Sequence, residues 1–241
     1  MKPIIEFDDV RVTMQPEGRE ARFSFSIASG QWTAFVGPNR SGKSLILKLC
    51  AGLVQADAGR VRLFGEEIAA LDEAARDAWR RRLGIVLQQP GLLSNMTIFN
   101  NVALPLRYHG DWTESEVERT VMEHLDAIGL AAHRDRFPAE LNRGEMRAVA
   151  TARVFAMRCE IALFDDPAEG LDVDMIDRLA HVFAQYRDTR RTTIVMTAGA
   201  PSSLLRSVDR LGFVRDGCLM AFGPREDVLS GHVGLHAYVG G

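Results

Sequence analysis

Cysteine is scarce in this chain: Cys50, Cys159 and Cys218 are odd in number, widely separated and without metal-ligand spacing. That pattern excludes a disulfide scaffold and fits buried thiols in a reducing compartment. An excess of either charge is also missing, since 29 Lys+Arg stand against 32 Asp+Glu for a net −3. There is no basic footprint for nucleic acid, none is expected as a partner, and the cluster Arg80-Arg81-Arg82 reads as a solvated helix face. No run is apolar enough to span a bilayer. The longest uncharged stretch, Leu83 to Leu106, holds three asparagines, two glutamines, Ser94, Thr97 and two prolines. Met1 to Val10 carries Glu6, Asp8 and Asp9 in place of an apolar signal core, so a chain that stays in the cytosol is expected. What is present is apolar material, 46% of 241 residues, enough for a large α/β core in one domain with an inserted subdomain.

The most informative segment is Gly37, Pro38, Asn39, Arg40, Ser41, Gly42, Lys43, Ser44, which satisfies G-x-x-x-x-G-K-[ST] at every fixed position. Trp32 to Val36 reads as a buried strand and Leu45 to Gly52 as a helix, so a strand delivers this loop to a helix N-terminus. The glycines let backbone N–H groups turn inward, and the helix end adds partial positive charge to the same space. Lys43 is expected to reach the β- and γ-phosphates of a nucleotide and the Ser44 hydroxyl to take Mg²⁺.

Ile4 to Met14 and the strictly alternating Arg22 to Ile27 predict an antiparallel edge. Val61 to Phe64, Gly84 to Leu87, Ile161 to Phe164 and Thr192 to Thr197 are short apolar strands separated by helical pattern, which predicts a mostly parallel sheet covered on both faces. Arg210 to Val214 and Cys218 to Phe222 predict a hairpin through Asp216-Gly217. Between Gln88 and Met157 strand signals stop, and an inserted helical subdomain is expected. Its clearest helix starts at Thr113 with Glu116 as a capping box, lines Val117, Val121, Leu125 and Ile128 on one face, and stops at Gly129. A helix from Met175 to Tyr186 packs on the sheet.

With these elements in this order the chain resembles the nucleotide-binding subunit of ATP-binding-cassette (ABC) transporters over essentially its whole length. The resemblance implies an α/β P-loop NTPase of ABC ATPase type: a RecA-like, mostly parallel sheet core with an antiparallel N-terminal β portion and an inserted helical subdomain. Residues 1–87 and 158–241 then form the core and 88–157 the insert, within one domain. Gln88 stands at the Q-loop glutamine, which senses Mg²⁺ and the attacking water. Leu141-Asn142-Arg143-Gly144-Glu145 stands at the signature L-S-G-G-Q, followed by a helix with Arg147, Ala150, Ala152 and Arg153. Phe164-Asp165-Asp166-Pro167 occupies the Walker B end, and Gly170-Leu171-Asp172 the D-loop. By this likeness ATP is held by residues 37–44 and, across a head-to-tail dimer, by Asn142, Arg143 and Gly144. Mg²⁺ falls to Ser44, Gln88 and Asp165, and the catalytic roles to Asp166, Gln88 and Lys43. An integral membrane permease and a second nucleotide-binding subunit are implied partners, a homodimer before a heterodimer, with small accessory subunits besides. The chain would then lie on the cytoplasmic face of a bacterial inner membrane.

Several positions depart from the family pattern. Asp166 replaces the catalytic glutamate, a retreat of about 1 Å that can lower a rate ~100-fold. Thr197-Ala198 lacks the switch histidine. Arg143 replaces a signature glycine, Glu145 places an acid near a polyanion, and Val12 to Gln15 has no aromatic residue to stack on adenine. Slow hydrolysis is expected, or nucleotide binding as the main event. The segment Leu92 to Leu106 looks most like the ATPases of Mla-type (Mce-associated) phospholipid-trafficking systems, which implies lipid as cargo. Similar N-V-A-x-P-L helices occur in methionine-importer and cell-division ABC ATPases, and the plain alternative is a helix that packs on its neighbours.

Overall fold

The computed structural model describes residues 2–14, 18–109 and 112–239. The chain opens with β1 (Pro3–Met14), β2 (Arg19–Ala28) and β3 (Trp32–Val36), then α1 (Lys43–Cys50), β4 (Ala58–Leu63), β5 (Glu66–Glu67), α2 (Glu73–Arg81) and β6 (Leu83–Val86). The insert follows as α3 (Ile98–His109), α4 (Glu114–Ala127) and α5 (Arg143–Ala156). The chain returns to the sheet with β7 (Ile161–Asp165), α6 (Val173–Arg190), β8 (Thr193–Ala198), β9 (Arg210–Arg215) and β10 (Cys218–Pro224), and continues into α7 (Arg225–Gly231) and α8 (His236–Val239).

The ten strands form one sheet in the order β5-β4-β1-β2-β10-β9-β3-β8-β7-β6. From β9 to β6 all neighbours are parallel, and every residue of β3, β7 and β8 is buried, as strands covered on both faces must be. Beyond β2, which pairs with β10 in parallel, the sheet turns antiparallel. Two expectations are corrected there. The β1–β2 pair is not an edge, because β4 adds outside β1; and β4, expected among the parallel strands, runs antiparallel to β1. Periodicity reports burial of a strand, while the direction of its neighbour is a matter of topology. In β2 the alternation does hold, with Ala21, Phe23, Phe25 and Ile27 buried between exposed Arg22, Ser24 and Ser26. The hairpin from β9 to β10 is antiparallel, as its turn predicts.

The insert is helical as expected, and α4 carries the Thr113–Glu116 capping box with Gly129 at φ +75° just beyond its end. Its packing explains much of the uncharged stretch from 89 to 106. Ile98, Phe99, Val102, Ala103 and Leu106 of α3 are buried in the cluster shared with α4 and α5, so they are uncharged because they face inward. Asn101 is fully buried and pins the preceding loop: its Oδ1 accepts from the Leu93 N–H at 2.7 Å, and its Nδ2 donates to the carbonyls of Leu93, Met96 and Thr97 at 3.1, 3.1 and 3.0 Å. That leaves Gly91 to Asn95 on the surface, with Leu93 at 41% exposure. The core therefore splits into two apolar layers, one joining the sheet to α5 and α6, the other joining the β1–β2 portion to α1 and α2.

Candidate nucleotide site

The phosphate loop leaves β3 at its buried end and enters α1. Gly37 lies at φ +152°, where an added Cβ would fall 2.0 Å from the Val214 carbonyl oxygen, so no side chain fits. Gly42, at φ +104°, is the N-cap of α1, and Arg40 takes a left-handed φ of +61° between them. Lys43 Nζ donates to the Gly37 and Pro38 carbonyls, both at 2.8 Å, which draws the lysine over its own loop. Burial pushes its pKa down, against the opposing pull of Asp166 and Asp165. Ser41 is 3% exposed and its hydroxyl has no hydrogen-bond partner among the described residues. A buried orphan hydroxyl in a loop of this shape fits a phosphate oxygen.

The loop opens on a cleft of about 570 Å³, walled by residues 40–45 on one side and by Val12, Thr13, Met14, Lys48 and Val54 on the other. No aromatic side chain lines it among the described residues, in keeping with the expected lack of a stacking ring. Gln15, the last residue of the segment expected to carry that ring, lies outside the described residues.

At the rim, side chains from α1, β7, β8 and the turn after β7 converge. Asp165 Oδ1 accepts from the Ser44 hydroxyl at 2.8 Å and the Thr197 hydroxyl at 2.6 Å. Thr197 Oγ1 accepts in turn from the Asp166 N–H at 3.0 Å. A serine hydroxyl and a carboxylate meeting at one point suit a hard dication, so Ser44 and Asp165 fit the Mg²⁺ expected of them. Asp166 adopts φ +51°, and its Oδ2 accepts from the Gly199 N–H at 3.1 Å. Burial raises the Asp166 pKa, with Glu169 and Asp165 adding to the shift and the Gly199 N–H and Arg147 opposing it.

Ala198 is 2% exposed and its methyl belongs to the apolar layer above α6. An added Cβ at Gly199, by contrast, would lie 3.0 Å from Asn39 Oδ1 and 3.3 Å from Asp166 Oδ2. A side chain enters the rim from position 199, not from 198, and Gly199 supplies only its N–H.

Two arginines of α5 organise the rim in ways the sequence reading left unassigned. Arg147, buried, donates to the Asp165 carbonyl at 2.8 Å, the Gln88 carbonyl at 3.0 Å and Glu169 at 2.9 Å. Arg153 donates to the Gly91 and Pro90 carbonyls at 2.9 and 3.0 Å. The loop from Gln88 to Gly91 thus hangs from the helix that follows the signature, with the Gln88 side chain exposed. Periodicity marks Arg147 as an inward position of a helix rich in alanine, which is the signal that was open to reading.

Asn142, Arg143 and Gly144 are not brought to the phosphate loop of their own chain. Asn142 caps α5: its Oδ1 accepts from the Glu145 N–H at 2.9 Å, and Glu145 Oε2 accepts from the Asn142 N–H at 2.8 Å. Glu145 is half of a capping box within its own chain. Arg143 takes the first helical position without a positive φ, so the backbone there does not demand glycine. The close approach at Gly144 lies within the chain, because a Cβ there would meet the Gly170 carbonyl oxygen at 2.4 Å.

Comparison with known proteins agrees with this geometry. A family model described as ABC transporter matches residues 21–169. The methionine import ATP-binding protein MetN 1 of Pseudomonas fluorescens is 31% identical over 93% of this chain and 68% of its own length. MetN of Caulobacter vibrioides is 32% identical over the same shares. Among solved structures, a dimeric bacterial ABC transporter cassette superposes with a TM-score of 0.83 at 24% identity, covering 92% of this chain and 98% of that one. The post-hydrolysis form of that cassette, bound to ADP and Pi, gives 0.82 at 23% identity with the same coverage. The phosphate loop, the Ser44–Asp165–Thr197 cluster and these likenesses lead to one statement: the chain belongs to the ABC transporter family, as an ATP-binding cassette with the P-loop NTPase fold.

Proposed function

We propose that this chain is the ATP-binding subunit of a membrane ABC transporter, paired with a second copy beneath an integral membrane permease, and that it couples ATP binding and slow hydrolysis to transport. The observation that carries the reading is the contrast at the rim between an intact phosphate loop and a carboxylate tied back at 3.1 Å to the Gly199 N–H. Lys43 and the loop N–H groups hold the phosphates, while Ser44, Asp165 and Gln88 hold Mg²⁺, whose charge neutralises the phosphate oxygens. Asp166 orients the attacking water, from a side chain one methylene shorter than the family's glutamate. Asn142, Arg143 and Gly144 serve the nucleotide of the partner copy. A non-catalytic, nucleotide-gated module is the competing reading, favoured by the absence of an imidazole at Ala198.

Leu92 and Leu93, with the 250 Å³ hollow between Met96, Leu104 and Phe137 next to them, make the surface we assign to a cytoplasmic helix of the permease. For cargo we retain lipid, on the likeness of residues 92–106 to the Mla-type ATPases; the methionine importers among the relatives supply the rival. Two measurements on the complex co-purified through untagged neighbours test these points. Phosphate release above background establishes turnover, and none would leave the gated module standing. Bound phospholipid in the purified complex supports lipid, whereas methionine-stimulated turnover supports the rival. In the same assay Asp166→Glu should raise turnover by up to about 100-fold, the order expected from restoring reach. Ala198→His should add little to it, since that side chain starts in the apolar layer.

A further inference from the structure

Away from the nucleotide cleft, a cavity of about 140 Å³ lies between the C-terminal end of α1, the β4–β5 edge and α2. Its wall is lopsided in charge, with Arg60, Arg76 and Arg80 set against the single carboxylate of Glu67. Two of the three guanidiniums have partners: Arg60 faces Glu67 at 3.6 Å, and Arg80 donates to Asp77 at 3.2 Å. Arg76 is half-buried, and its side chain has no hydrogen-bond or ion-pair partner among the described residues. Asp72, one turn before it, is committed as the cap of α2 and accepts from the Ala75 N–H at 2.8 Å. The floor is apolar, made by the buried side chains of Leu49, Val61 and Trp79. The Trp79 Nε1 is itself buried without a hydrogen-bond partner among the described residues, a cost that an acceptor in the cavity relieves.

We infer that this cavity is a binding site for a small organic anion, a carboxylate carried on a compact apolar body. A guanidinium grips a carboxylate with two parallel N–H donors, and Arg76 is the one whose donors are unspent. Arg60 and Arg80 add positive potential around it. The volume sets the body, since 140 Å³ is close to the space in which an apolar cavity holds one benzene ring. An inorganic oxyanion would leave the apolar floor uncovered, and a neutral ring would leave Arg76 unpaired. Only the combination uses both halves of the wall. Of the lining residues Val54 alone also lines the nucleotide cleft, so the site stands apart from the phosphate loop.

Benzoate, benzamide and inorganic phosphate are the probes, titrated into the full chain and followed through the indole N–H resonances of its three tryptophans. Benzoate should move the Trp79 resonance, identified by its loss in Trp79→Phe, along a saturable curve with a Kd of about 1 mM, the range for a ligand of this size. Benzamide and phosphate should bind at least about tenfold more weakly, and Arg76→Gln should weaken benzoate about tenfold. Lys43→Ala should bind benzoate as wild type does, which keeps this test independent of the nucleotide reading. The inference is overturned if benzoate leaves the Trp79 resonance unmoved, if benzamide or phosphate binds as tightly, or if Arg76→Gln binds benzoate unchanged. Should Trp79→Phe fail to fold, calorimetric titration of benzoate into wild type and Arg76→Gln decides by the same tenfold loss.

Discussion

The two sides of the cleft are built from different materials. On the phosphate side the constraints are in the main chain: Gly37 and Gly42 in conformations open to glycine, and the Lys43 ammonium held by two carbonyls. On the rim side they are in side chains, with Ser44, Thr197 and Arg147 arranged around Asp165, and Asp166 held by one N–H. A backbone cradle keeps its function under most substitutions at its variable positions. A side-chain array changes with every methylene.

The largest effect that should follow from this contrast is on binding. Lys43→Ala should reduce ATP affinity by more than about 100-fold, because it removes a desolvated cation from a polyanion site; calorimetry that finds the variant equal to wild type would break the phosphate side of the comparison.

Next comes Arg147→Met, which takes the donor away from two main-chain carbonyls, the one of Asp165 buried and the one of Gln88 partly so. We expect a loss of about 3 kcal/mol in chemical denaturation, with turnover abolished. ATP binding to the folded variant should persist. If binding is lost as well, the two sides are not separable.

A smaller effect is expected at Asp166, and its sign follows from burial. A carboxyl whose folded pKa is raised favours the folded state below its unfolded pKa, and that advantage is lost as pH rises through the raised value. Asp166→Asn removes the buried charge, so its melting temperature should exceed that of wild type at neutral pH, and the gap should close on acidification. Turnover of wild type should fall on acidification through the same window as Asp166 takes up its proton. A gap that is independent of pH would show that Asp166 does not titrate as its surroundings require.

The smallest change is at the signature, where Asn142→Ala should cost about 1 kcal/mol as the loss of a helix cap. Denaturation measures it. An unchanged midpoint would return Asn142 and Glu145 to a role toward nucleotide alone.

Much of this architecture could be read in advance where a local rule acts alone. The loop at 37–44, the Thr113 capping box, the alternation of β2 and the Asp216-Gly217 hairpin each follow from a few neighbouring residues. The placement of β4 outside β1 and the burial of α3 depend on partners distant in sequence, so periodicity could not assign them. The site divides the same way. Ser44 and Asp165 meet as their motifs imply, and the Asn142–Glu145 capping box is as local as the one at Thr113, whereas the hold of Arg147 on two loops and the offset between Ala198 and Gly199 are settled by tertiary packing.

The hairpin that touches the phosphate loop also sets the order in which the molecule can be assembled. The Gly217 N–H donates to the Ser41 carbonyl at 2.9 Å, and the Gly217 carbonyl accepts from the Arg22 N–H at 2.8 Å. Central β3 gains its two flanking strands, β8 and β9, only from the last third of the chain. A nascent polypeptide leaving the ribosome thus carries the whole 37–44 segment long before that segment has walls, and such distant pairings form slowly. Nucleotide capture becomes a late event in synthesis, one that reports a finished cassette and stabilises only chains that have reached it.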